Sequence, residues 1–154
     1  MAHDLDSYLG GLFDGEGCVR VGFYDGALNR RKSPHDQTTV SLAVVMTDRA
    51  PIDLLVSRFG GRNKVASRKT EAGRTVYRWD LTGTSTEEAL NVLAEHCIIK
   101  RPQILLAQEA VRIIRLHKAF PIRYRGRPLL SAERSRRIEI AAEIRQLKAP
   151  PGAA

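Results

Sequence analysis

The sequence predicts an α+β fold, a four-stranded antiparallel sheet with helices on one face and extra helices toward the C-terminus. Three observations predict it. Apolar residues alternate with period two over 18–24 and 37–46, as half-buried strands require. Apolar residues recur at helical spacing over 48–59 and again after 85. Gly60-Gly61 and Glu71-Ala72-Gly73-Arg74 fall between such segments rather than inside them. Antiparallel hairpins covered on one face by helices make a two-layer sandwich.

In chain order, residues 5–15 form a first helix. The strand Cys18–Tyr24 then places Val19, Val21 and Phe23 on one face and Cys18, Arg20, Gly22 and Tyr24 on the other. A polar loop over 25–36 holds Arg30, Arg31 and Lys32 and closes at Ser33-Pro34. A second strand, 37–46, directs Val40, Leu42, Val44 and Met46 one way and Thr39, Ser41, Ala43 and Val45 the other. Asp48 caps a helix through Phe59 with an apolar stripe of Ile52, Leu55, Val56 and Phe59, and Gly60-Gly61 ends it. A hairpin follows, Lys64–Thr70 and Thr75–Thr82, with Tyr77, Trp79 and Leu81 facing inward and Val76, Arg78 and Asp80 outward. A third helix runs from near Ser85 to about Glu95, with Glu87 and Glu88 in its first turn. Pro102 suits the first turn of a fourth, reaching about Lys118, whose stripe is read as Leu105, Leu106, Ile113 and Leu116 with Glu109 at its flank. After a basic loop holding Arg123, Arg125 and Arg127, a last helix from Ser131 is expected to bury Ile140, Ile144 and Leu147 before Pro150-Pro151. No linker divides the chain, so 1–154 is expected to be one domain: a core over about 4–118 and a helical extension over about 128–148.

Composition narrows the function classes. The net charge of +8 and pI near 10.0 favour a polyanionic partner, nucleic acid before membrane. Cys18 and Cys97 are the only cysteines and lack metal-ligand spacing, which suits a reducing compartment. No segment is long and apolar enough to span a bilayer, and no export or targeting signal is expected. An intracellular location follows as the expectation, in a prokaryotic cytoplasm or an organelle.

The most informative stretch is Tyr8-Leu9-Gly10-Gly11-Leu12-Phe13-Asp14-Gly15-Glu16-Gly17. It reads as an apolar helix ending in two carboxylates, where the helix already carries about half a negative charge. A cation should offset this, and a hard divalent ion with oxygen ligands suits the site. Gly11 and Gly15, four apart, make a stripe without side chains where another backbone can approach. Gly17 can supply a left-handed cap. An EF-hand would need more oxygen donors at alternate positions. A membrane-fusion peptide is disfavoured by Asp4, Asp6, Asp14 and Glu16.

The outward sheet positions Arg20, Gly22, Tyr24, Gln37, Thr39, Ser41, Lys64, Arg68, Arg78 and Asp80 carry hydrogen-bonding side chains at alternate places. A β-ribbon fits the major groove, and this mixture suits base edges and phosphates. Arg30, Arg31 and Lys32 at the sheet's end can clamp phosphates. A strand of eight residues spans roughly 26 Å, about eight base pairs of a duplex.

The run Leu9-Gly10-Gly11-Leu12-Phe13-Asp14-Gly15-Glu16-Gly17 resembles the motif of the LAGLIDADG homing endonucleases, with Glu16 in place of the second aspartate. The element order resembles their αββαββα core to about residue 118. Lys100-Arg101-Pro102-Gln103 resembles the Lys-Arg-Pro-Gln segment that follows the fourth strand and its helix. The resemblance implies Glu16 as catalytic and metal-binding carboxylate, the Gly15 carbonyl as a second ligand, and Lys100 as a catalytic lysine near the scissile phosphates. Asp14 is expected to cap or orient rather than bind metal. It implies Mg²⁺, with Mn²⁺ able to substitute, and staggered breaks with 3′ overhangs in double-stranded DNA. The gene would belong to a mobile intron or similar element. Met46 stands where the family often has a water-positioning glutamine, a departure that puts the water network in question. A single motif implies a homodimer packed through Gly11, Leu12 and Gly15, with a long pseudo-palindromic target. Two alternatives stay open on the same fold, a DNA-binding regulator without nuclease activity and an intron maturase.

Overall fold

Helix α1 (Ala2–Glu16) passes directly into strand β1 (Gly17–Tyr24), and this junction positions the acid pair. The glycine there supplies space, not backbone freedom. A Cβ on Gly17 would lie 2.4 Å from the Phe13 carbonyl oxygen and 2.5 Å from its ring. Its φ is not among the positive values, so the left-handed cap expected at Gly17 does not form. The buried Phe13 holds the end of the helix against the start of the strand instead. The computed structural model describes residues 2–26, 28, 36–65, 72–119 and 131–149.

Among these residues the sheet has four strands, all neighbours antiparallel, in the order β1-β2-β4-β3. Strand β2 is Gln37–Met46, β3 Arg62–Val65 and β4 Tyr77–Thr82. The alternation in the sequence sets the register. Val19 and Val21 pair with Leu42 and Val40 on the inner face, and Leu42 and Val44 pair with Leu81 and Trp79. All of these are buried. Strand β3 begins two residues before the expected Lys64, and β4 begins at Tyr77 rather than Thr75. The early start follows from Gly61, whose φ is +92° and whose missing Cβ would lie 2.6 Å from the Asp80 carbonyl. The chain can enter the sheet at once there, and Trp79 donates its indole N–H to the Gly60 carbonyl at 2.8 Å. The rest of the expected hairpin, residues 66–71 including Arg68, lies outside the described residues.

Helices α2 (Ala50–Phe59), α3 (Glu87–His96) and α4 (Arg101–Ala119) join α1 around the core. A 3₁₀ turn at Gly83–Thr86 leads into α3. Asp48 accepts the Ala50 N–H at 3.0 Å, and Pro51 lies in the first turn of α2. Arg58 of α2 donates to both Asp6 oxygens at 2.8 and 3.1 Å and to Glu88 at 2.8 Å, joining α1, α2 and α3. Gly10 lets α1 and α3 approach closely, since a Cβ there would lie 2.4 Å from the His96 Cβ.

The buried stripe of α4 differs from the expected one. Gln103, Ile104, Ala107, Ala110 and Val111 face inward, whereas Leu105 and Leu116 are exposed and Leu106 and Ile113 are partly buried. Alanines permit close helix contacts that a rule favouring leucine overlooks. Helix α5 (Ser131–Lys148) packs along α4 and strand β1 through Ile140, Ala141 and Ile144, while Leu147 is exposed, contrary to expectation.

Candidate functional site

The acid-bearing end of α1 and the segment before α4 hold each other reciprocally. The Asp14 carboxylate accepts three consecutive backbone N–H groups, from Ile98 at 2.6 Å, Ile99 at 3.1 Å and Lys100 at 2.9 Å. Burial pushes the Asp14 carboxyl upward, but these donors together with Cys97 outweigh it and hold its pKa below the ordinary value. In return the Lys100 ammonium donates to the Asp14 carbonyl oxygen and lies 3.5 Å from that of Gly15. A lysine ammonium therefore lies against the negative end of the helix and offsets part of its charge.

This arrangement divides the two acids. Asp14 orients the loop, in line with the structural role expected for it. Glu16, one residue beyond Gly15, is exposed and is the last residue of α1, immediately before β1. The structure thus sets the Lys100 ammonium beside the Gly15 carbonyl, with Glu16 the next residue along the chain. The donors suit a hard divalent cation: a carboxylate and helix-end carbonyls on which a cationic group already rests. Among the described residues no three His, Cys, Asp or Glu side chains gather as a metal cluster.

From this end the outer face of the sheet extends as a series of rungs. Arg78 follows Val45, with Lys64 at the paired backbone position of β3, and Cys18, Ala43, Asp80 and Arg62 align on the next rung. Arg20, Ser41 and Thr82 come next, then Gly22 with Thr39, then Tyr24 with Gln37. A Cβ on Gly22 would lie 2.9 Å from the Thr39 hydroxyl and 3.2 Å from the Tyr24 ring, so the glycine makes room for both. Arg78 is not an unopposed cation: it grips Asp80 at 2.7–2.8 Å, and that hydrogen bond raises the guanidinium's pKa despite partial burial. Arg30, Arg31 and Lys32 lie outside the described residues. Met46 turns toward the core and packs against it. Arg62 and Thr82 belong to the face but were absent from the expected set, whereas Cys18 lies on it beside Arg20 and Gly22 as expected. Arg62 was missed because its strand begins early.

The two thiols differ. Burial alone would raise the Cys18 thiol, but a hydrogen bond from Arg20 and the charge of Lys148 bring its pKa below the ordinary value. Burial, with the Asp14 charge beside it, pushes Cys97 up to about 12.

Helix α5 carries most of its arginines in ion pairs. Arg134 binds Asp25 at 2.7 Å and Asp36 at 3.0 Å. Arg136 binds Glu109 at 2.7 Å, Glu143 at 3.0 Å and Glu139 at 3.2 Å, which lowers the Glu109 pKa. Arg137, buried, binds Glu133 at 2.5 Å and the Thr38 hydroxyl at 3.0 Å.

No protein-family model and no curated protein matches the sequence, but solved structures do. The homing endonuclease I-CvuI, in complex with its target in the presence of calcium, superposes with a TM-score of 0.68 at 19% identity, covering 100% of this chain and 89% of that one. The archaeal intron-encoded homing endonuclease I-Vdi141I, complexed with DNA, gives 0.67 at 15%, covering 99% and 88%. The LAGLIDADG homing endonuclease I-GzeII, in complex with its DNA target, gives 0.66 at 9%, covering 89% of this chain but 43% of that one. The chain has the LAGLIDADG homing-endonuclease fold.

Within the LAGLIDADG fold, Gly11 and Gly15 are exposed on α1, and a Cβ at either would meet nothing within 4 Å. Leu12 between them is partly buried and packs against the core. Tyr8, about half exposed, extends this open surface by one turn. It was not in the expected set, although its spacing of three from Gly11 is visible in the sequence.

Proposed function

We propose that the chain is a homodimeric, site-specific DNA endonuclease that hydrolyses phosphodiesters with a divalent metal. The observation that carries this reading is the Lys100 ammonium resting against the helix-end carbonyls of Asp14 and Gly15, directly before the exposed Glu16, at one end of a polar sheet face. Glu16 and the Gly15 carbonyl would hold Mg²⁺, with Mn²⁺ as a substitute. When bound, the ion supplies Lewis-acid stabilisation of phosphoryl charge and activates water. Lys100, held beside it by the Asp14 grip on its own backbone, would stabilise charge developing on the phosphate. The outer rungs from Arg20 to Gln37 would lie against the duplex and supply contacts to base edges and phosphates.

The homodimer rests on arithmetic and on an open surface. Two strand cuts need two such carboxylate ends, and one chain carries one. The match to less than half of I-GzeII fits a chain that needs a second copy. The open Gly11 and Gly15 positions on α1 provide a face for that copy, and a twofold pair favours a pseudo-palindromic target. The free thiols suit a reducing intracellular compartment. A mobile intron or similar element would be the gene's setting.

The test is cleavage of a plasmid carrying the element's insertion site, with Mg²⁺. Wild-type protein should cut it, and Glu16→Gln should lose at least a hundred-fold in rate. Cutting by Glu16→Gln at the wild-type rate would remove Glu16 from the mechanism. Met46 favours a second reading, a DNA-binding regulator, because its thioether cannot position a water as glutamine does. Tight binding indifferent to divalent metal, with no cutting, would select that reading. Preference for structured RNA of a host intron would select a maturase.

A further inference from the structure

The end of α5 carries an unused cluster of positive charge. Arg145 and Lys148 line a cleft of about 400 Å³ together with Arg20, Tyr24, Thr39 and Ser41 of the sheet. Among the described residues neither Arg145 nor Arg20 has a carboxylate partner, and Lys148 touches only the Cys18 sulfur, at 3.5 Å. This contrasts with Arg134, Arg136 and Arg137 on the same helix, all held by acids. The helix C-terminus offsets part of the Arg145 and Lys148 charge, about half an elementary charge against two. Arg20, on the strand, receives no such compensation.

The cluster lies along one edge of the sheet. β1 is an outer strand, and α5 packs beside it. Four strands about 4.8 Å apart span about 14 Å between the outer axes. The major groove is about 12 Å wide. A sheet face of this width laid into the groove must have one DNA backbone running over or just beyond β1. There the fold places two guanidinium groups and an ammonium, with the hydroxyls of Ser41, Thr39 and Tyr24 as further donors. Lys148 meets β1 at Cys18, two residues from Glu16, so the cluster flanks the carboxylate end.

We propose that Arg145 and Lys148, with Arg20, form a phosphate clamp that seats one backbone of duplex DNA beside Glu16. The last turns of α5 are thus part of the nucleic-acid interface, while its N-terminal half is a brace. This rests on the DNA-binding part of the endonuclease reading, since a duplex on the outer face is what brings a phosphate there. A guanidinium can bind a phosphate through two hydrogen bonds, and the lysine adds a point charge. Such contacts seat the duplex without reading its sequence.

The test measures binding of wild type and of the Arg145→Gln/Lys148→Gln double variant to two duplexes, one with the cleavage site and one without. Fluorescence anisotropy in Ca²⁺ over a series of KCl concentrations gives the salt slope. The double variant should bind both duplexes about ten-fold more weakly. The slope of log affinity against log salt should fall by about 0.9 for each phosphate contact removed, about two per protomer. A second measurement needs no variant: saturating duplex should slow alkylation of Cys18 at least ten-fold, with buried Cys97 as the silent internal control. An unchanged slope, a loss confined to one duplex, or unchanged Cys18 labelling on bound protein overturns the clamp. Wild type that binds no duplex overturns the clamp and the endonuclease reading together. A reduced slope in a protein that never cuts upholds the clamp and overturns only the endonuclease reading.

Discussion

Asp14 and Glu16 are two residues apart yet differently placed: Asp14 is held by three backbone N–H groups, while Glu16 is exposed. Asp14 faces three backbone N–H groups that would otherwise need water, and it leaves none of its own oxygens unused. Because its folded pKa lies below the ordinary carboxylate value, its contribution to stability is complete above about pH 3.9, the unfolded value. That contribution is lost as pH falls through the folded pKa. Asp14→Ala should therefore cost about 1–2 kcal/mol at neutral pH, the range for losing a charged cap. Urea denaturation across pH would check it: the gap between wild type and variant should close in acid. A gap of equal size at all pH values would mean that the carboxylate charge is not what holds the loop.

Among the elements, α5 joins two tasks on one helix. Its N-terminal half is fastened by Arg134 to Asp25 and Asp36, which lie on either side of the connection between β1 and β2. Arg134→Ala should lower stability by about 1 kcal/mol, a typical value for a networked, half-exposed pair. It should leave the salt slope of DNA binding unchanged, because this arginine's charge is already taken; a changed slope would place phosphate contacts on the wrong half of the helix. The ion pairs of α5 also show what was legible in the sequence and what was not. Strands β1 and β2 were readable because one face of each is buried, so period two leaves little choice of register. Helix α4 was not, because Ile104, Leu105, Leu106, Ala107, Ala110, Val111, Ile113, Ile114 and Leu116 are apolar nearly all the way round. Ala107 and Ala110 in the buried stripe carry a weaker hydrophobic signal than the exposed Leu105 and Leu116. At the candidate site, the misplaced charge at the end of α1 was visible. The loop that answers it, more than 80 residues away, was suggested only by the Lys100-Arg101-Pro102-Gln103 match. Arg145 and Lys148 gave no sign, since two basic residues in a last helical turn usually serve the helix.

For the molecule as a whole, the decisive question is what lies against α1. The other helix faces near it are occupied: Gly10 meets α3, and Phe13 and Leu9 are fully buried. Among the described residues, the side with Tyr8, Gly11 and Gly15 is open, and it ends at Gly15 and Glu16. If a second copy packs there through the glycines, two carboxylate ends come together at one twofold axis, and both strands of a duplex lie within reach of one assembly. Gly11→Arg separates that arrangement from fold stability. Nothing within 4 Å of the position would clash with a Cβ in the single chain, and arginine favours a helix over glycine by up to about 1 kcal/mol. The variant should therefore fold and keep its far-ultraviolet circular dichroism. In analytical ultracentrifugation it should sediment as a monomer where wild type sediments as a dimer, and it should lose double-strand cleavage. A Gly11→Arg protein that remains dimeric would place the second copy on another face and leave the two carboxylate ends apart.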